Sequence, residues 1–140
     1  MAAERRKTRE VQVGNVGVGG ENPVRVQSMC SSHTWDIETT SDQIRRLEEA
    51  ECEMIRVTVP DKEDLEALPI LKEKMNVPLI ADIHFNYRMA LGAAEVVDKV
   101  RVNPGNYADK KKFQMLEYTD AEYEAELERI REKFTPLVQI

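Results

Sequence analysis

Short β-branched segments that alternate with helix-forming stretches constrain this chain more than any other feature. They are residues 24–29 (VRVQSM), 54–59 (MIRVTV), 79–84 (LIADIH) and 99–103 (KVRVN). Strands that recur every ~20–30 residues, with helical periodicity between them, form βα units and a parallel sheet. The predicted fold is therefore α/β, with four βα units, about half of a closed eight-unit barrel.

Each segment carries two kinds of residue in alternation. Successive side chains of a strand point to opposite faces. Ile55, Val57 and Val59 then oppose Arg56 and Thr58; Ala81 and Ile83 oppose Asp82 and His84; Val100 and Val102 oppose Arg101 and Asn103; Val24 and Val26 oppose Arg25 and Gln27. Each strand is expected to offer one apolar face to the helices and an opposite face with polar groups near its C-terminal end. In a parallel barrel the second face points inward, and active sites sit at the C-terminal strand ends. Arg56, Asp82, His84, Arg101 and Asn103 are thus expected to share one cavity. Unpaired charge in a cavity is costly. Asp82 offsets one guanidinium, and an anion of phosphate type suits the other. Plainer readings stand beside this one: an Arg56–Asp82 structural ion pair, a satisfied core histidine at His84, and an Asx-turn at Asn103 before Pro104-Gly105.

The rest of the chain supplies the covering elements. Val11, Val13, Val16 and Val18 alternate around Gly14-Asn15, which predicts a hairpin before the βα units. Thr40 and Gln43 read as a capping box for the first helix, ahead of Ile44 and Leu47. Asp61 is a good N-cap for a second helix carrying Leu65, Leu68, Leu71 and Met75, in which Pro69 predicts a kink or a delayed start. Residues 87–97 read as a third helix. A capping box at Thr119 and Glu122 opens an amphipathic tail with Tyr123, Leu127, Ile130 and Phe134 at helical spacing. Thr135-Pro136 reads as a fresh N-cap and first helical residue.

Several functions are disfavoured. Twenty basic and 26 acidic residues leave a net charge of −6, which argues against nucleic acid as the main partner. No apolar run reaches the ~18 residues of a membrane span, and the N-terminus lacks a secretory pattern. A cytoplasmic protein is expected. Cys30 and Cys52 lack the spacing of a metal or cluster site, so no metal ligands are assigned; a reactive Cys30 remains open because it follows a strand at its C-terminal end. His33 and Trp35 read as loop packing, and Lys110, Lys111 and Lys112 as a solvated turn.

Four of these motifs stand in register with a known family. VQSM (26–29), IRVTVP (55–60), ADIHF (81–85) and RVNPGN (101–106), with VGNVGVGG (13–20) before them, resemble the N-terminal part of the 4-hydroxy-3-methylbut-2-enyl diphosphate synthases. The resemblance implies a (β/α)8 TIM barrel preceded by a short hairpin. It also implies a C-terminal domain with a 4Fe-4S cluster, whose ligands are not in this chain. The reaction implied is reductive opening of 2-C-methyl-D-erythritol 2,4-cyclodiphosphate in isoprenoid biosynthesis, with ferredoxin or flavodoxin as electron donor. By motif match, Arg56, His84 and Arg101 resemble diphosphate-binding residues, Asp82 and Asn103 orient them, and Gln27 lies at the mouth of the site. The position after VQSM is usually Thr in the family and is Cys30 here; His33 and Trp35 are further departures. Residues 1–140 are expected to be the first part of the substrate-binding barrel, without its second half or the cluster domain, and inactive alone; homodimerisation is left open. The alternatives are another phosphate-binding barrel, of pterin synthase or aldolase type, and a non-catalytic half-barrel that binds a partner.

Overall fold

The structure, a computed structural model, describes residues 6–107 and 117–140. A hairpin of β1 (Val11–Val13) and β2 (Val16–Val18) precedes β3 (Gln27–Met29), β4 (Met54–Thr58), β5 (Leu79–Ile83) and β6 (Lys99–Val102). The last four strands form one parallel sheet in the order β3-β4-β5-β6. Helices α1 (Ile37–Glu49), α2 (Lys62–Glu73) and α3 (Tyr87–Ala94) follow β3, β4 and β5 in turn. After β6 come a single turn, α4 (Pro104–Tyr107), and a long helix, α5 (Asp120–Gln139). This is a partial βα barrel with a separate hairpin, as the strand spacing predicts. The three lysines at 110–112 lie outside the described residues.

The helices cover one face of the sheet. Ile55, Val57, Leu79, Ala81 and Ile83 are buried there against Ile44 of α1, Leu68 and Leu71 of α2, and Ala90 and Ala93 of α3. Burying a large aliphatic side chain contributes roughly 1.5–3 kcal/mol, so this layer dominates the stability. Asp98 ties its lower end together: one carboxylate oxygen accepts from the Leu79 amide at 2.9 Å, the other from Lys72 Nζ at 3.0 Å.

The opposite face divides along its length. At the N-terminal end, Met54 and Ile80 pack with Val13, Val16 and Val18 of the hairpin. Gly14 makes this close fit possible. It holds a φ of 57° in the two-residue turn, and a Cβ there would come within 3.1 Å of Pro78 and 3.2 Å of Asp98. The C-terminal half of the face is left to polar groups.

The first strand departs from expectation. Val24 and Val26 stand in solvent, 83% and 56% exposed, rather than under a helix. Side chains engage the backbone that a longer strand would use: Glu53 accepts from the Val26 amide at 2.7 Å and from Arg25 at 2.8 Å, while Arg25 Nε donates to the Gly17 carbonyl at 2.8 Å. Residues 24–26 therefore tie hairpin to sheet, and the strand begins at Gln27.

Four helix expectations are also corrected. Helix α1 starts at Ile37 on Asp36, whose carboxylate accepts from the Thr39 amide, and Thr40 is buried inside it. Gln43 is occupied elsewhere, accepting from the amides of Ser31 and Ser32. Helix α2 begins directly after its Asp61 cap and runs unbroken past Pro69, which is exposed. In α5 the Thr119–Glu122 capping box forms, but Thr135 and Pro136 do not start a new helix. Thr135 Oγ1 donates back to the Arg131 carbonyl at 2.8 Å, and Phe134 and Leu137 pack on the core across the proline. Helix α3 ends at Ala94, short of the predicted residue 97.

Candidate functional site: a carboxylate among cations

Parallel pairing sets the polar half of the open face. Met29 is the register partner of Arg56, Thr58 of Asp82, and Asp82 of Arg101. Side chains at paired positions share a face, so four adjacent strands aim these residues the same way. Asp82 stands at the centre, its side chain only 4% exposed. Arg101 Nη1 donates to Asp82 Oδ1 at 3.0 Å. Arg56 Nε and His84 Nε2 each lie 3.5 Å from Asp82 Oδ2. Two guanidiniums around one carboxylate leave a net positive charge before His84 is counted. The cations are more open than the anion, with Arg101 43% and His84 46% exposed. An anion approaching this edge meets N–H donors first.

Four of the six residues proposed from the sequence therefore converge: Arg56, Asp82, His84 and Arg101. Asn103 falls one residue beyond β6, and its side chain caps α4, accepting from the Gly105 amide at 3.0 Å. That is the Asx-turn reading. Gln27 shares the open face but begins β3 opposite Met54, a level nearer the N-terminal end than Arg56. Met29 was not singled out from the sequence. Its parity with Gln27 is the signal that places it on this face, next to Arg56.

The loop after β3 is clamped at the same end of the sheet. Thr34 Oγ1 donates to the Thr58 carbonyl at 2.6 Å, and the Trp35 amide to Asp64 at 3.0 Å. His33 and Trp35 stack with ring centroids 5.5 Å apart, and both are exposed. Loop packing accounts for their order. Cys30 is buried in the helix-face core, and burial pushes its thiol up to about 11, with Cys52 adding to the effect. A thiol so rarely ionised is a poor nucleophile and metal ligand. Cys52 is buried in the same core, its Sγ donating to the Met54 carbonyl at 3.0 Å. A cubane cluster wants about four ligands, and no cluster of three or more candidate His, Cys, Asp or Glu ligands occurs among the described residues. These two thiols do not fit one. Among the described residues no helix is long and apolar enough to cross a membrane.

The chain is similar to known proteins. A family model described as the GcpE TIM-barrel domain matches residues 8–130. The 4-hydroxy-3-methylbut-2-en-1-yl diphosphate synthase (flavodoxin) of Leptospira interrogans is 53% identical over 140 residues, covering 96% of this chain and 21% of that protein. The chloroplastic ferredoxin-dependent synthase of Arabidopsis thaliana is 46% identical over 141 residues, again 96% of this chain and 19% of that protein. The chain thus spans about a fifth of the length of these relatives. Among solved structures, the phospho-2-dehydro-3-deoxyheptonate aldolase of Thermotoga maritima superposes with a TM-score of 0.57 at 15% identity, over 94% of this chain and 44% of that one, a likeness of fold alone. With a family model matched across most of its length, the chain belongs to the GcpE TIM-barrel family.

Proposed function

We propose that this chain is the N-terminal part of the substrate-binding barrel of a 4-hydroxy-3-methylbut-2-enyl diphosphate synthase, and that its polar strand edge grips the diphosphate of the cyclic substrate. The observation that carries the reading is the excess of cation over anion around Asp82 at the C-terminal strand ends. Charge balance at Asp82 needs only one arginine. A second guanidinium and an exposed imidazole leave donors for a ligand that is itself anionic and forked. The names of the relatives, synthases of a diphosphate marked flavodoxin or ferredoxin, support a diphosphate ligand and such an electron donor.

In this reading Arg101 and Arg56 bind diphosphate oxygens, His84 donates to one of them or moves a proton, and Asp82 holds the two guanidiniums in place. Asn103 orders the turn that follows Arg101. Reduction belongs to a 4Fe-4S cluster held elsewhere in the complete enzyme, so the part played by these residues is to bind and orient. The test is Arg56→Ala in the complete enzyme. Loss of charge-assisted hydrogen bonds of roughly 1.5–3 kcal/mol each should lower kcat/KM by about tenfold to a few hundredfold. An unchanged kcat/KM would remove Arg56 from the site.

A further inference from the structure

Arg56 and Arg101 face one carboxylate but are not equally satisfied. Arg101 makes a direct 3.0 Å hydrogen bond to Asp82. Arg56 Nε stays 3.5 Å away and is a buried nitrogen without a hydrogen-bond acceptor. Its Nη2 donates instead to Met29 Sδ at 3.3 Å. The β3–β4 register makes Met29 the direct neighbour of Arg56, so backbone pairing sets up this contact. A thioether is a weak acceptor. It can orient a guanidinium without neutralising its charge, which a carboxylate in that place would do.

Resting on the diphosphate reading above, we propose that Met29 is a positioning residue for substrate binding: its sulfur holds the Arg56 guanidinium short of full pairing with Asp82, so that it meets the diphosphate with donors still free. Without the sulfur, Arg56 closes onto Asp82, and the substrate must break that pair before binding. The two arginines then have distinct tasks. Arg101 is anchored by the protein, and Arg56 is held in reserve for the ligand.

A double-mutant cycle in the complete enzyme tests this. Met29→Leu keeps the volume and removes the acceptor. It should raise KM for the cyclic diphosphate by about 2–5-fold, in line with loss of one weak hydrogen bond, and leave kcat and Tm nearly unchanged. In an Arg56→Ala background the same substitution should add nothing, because the group it positions is gone. Met29→Gln, which restores an acceptor on an unbranched side chain, should recover most of the loss. The proposal is overturned if Met29→Leu leaves KM unchanged, if its effect adds fully to that of Arg56→Ala, or if Met29→Gln is as impaired as Met29→Leu. Should Arg56→Ala itself leave KM and kcat unchanged, the diphosphate reading has failed, and the role of Met29 falls with it.

Discussion

The two faces of the parallel sheet share a backbone and differ in almost everything else. On the helix face, Ile55, Val57, Leu79 and Ala81 are fully buried. On the open face, one residue away in each strand, Arg56, Asp82 and Arg101 form a charged cluster reachable from solvent. Because strand parity is binary, a single alternation separates the residues that make the fold stable from those free to act on a ligand. The hairpin sharpens the contrast: it covers the N-terminal half of the open face with Val13 against Met54 and Ile80, leaving the C-terminal half to the cluster around Asp82.

Substitutions on the two faces should therefore fail differently. The largest expected effect is on the helix face. Leu68→Ala, at a side chain with no exposure, should cost about 2–5 kcal/mol of stability. Protein that still folds should retain normal kcat/KM. A Leu68→Ala enzyme with unchanged Tm but poor turnover would break the division between faces.

Asp82→Ala lies between the two. Its carboxylate is buried while its partners are partly exposed, so solvent screening limits the loss to about 1–3 kcal/mol. The larger change should be functional, as Arg56 and Arg101 lose their common anchor and splay apart. Denaturant melts alongside KM for the cyclic diphosphate measure both.

The smallest effects are in pH dependence, and they should have opposite signs at two carboxylates. The Val26 amide and then Arg25 hold Glu53 below its ordinary value. Its contribution to stability is present above its unfolded value and is lost as pH falls through the lowered folded one. Glu53→Gln should therefore lower Tm at neutral pH, with the gap closing in acid. Burial raises Asp64, which also accepts from the Trp35 amide. A raised carboxyl favours folding at low pH and loses that advantage as pH rises through its folded value. Asp64→Asn keeps the acceptor and should raise Tm at neutral pH, again with the gap closing in acid. Tm against pH for both variants checks the signs.

Alternation made the division of faces legible in β4, β5 and β6, where five, five and four residues are long enough for parity to be read unambiguously. It held at Gln27 in β3, which keeps three residues, and failed just before that strand. Val24 and Val26 alternate correctly in the sequence, but the long-range bonds of Arg25 and Glu53 claim that segment, and no local pattern reveals them. Thr40 and Gln43 failed for a similar reason: the spacing of a capping box is present, but Gln43 serves a loop 11 and 12 residues away. Asn103 shows the limit of parity at a strand end, where a residue that alternates into the site turned to cap the next helix. Met29 was hidden by chemistry, since a methionine in a strand reads as core until its neighbour is known to be an arginine.

Arg101 separates arginines that hold a diphosphate from arginines that merely pair with Asp82. The most direct measurement is kcat/KM and Tm of Arg101→Ala in the complete enzyme, with Arg101→Lys beside it. With a diphosphate bound by Arg101, kcat/KM should fall by roughly tenfold to a few hundredfold with only a small change in Tm, and recover in part in the lysine variant, which keeps the charge without the fork. A markedly lower Tm with wild-type kcat/KM would contradict that role and leave Arg101 as a structural partner of Asp82.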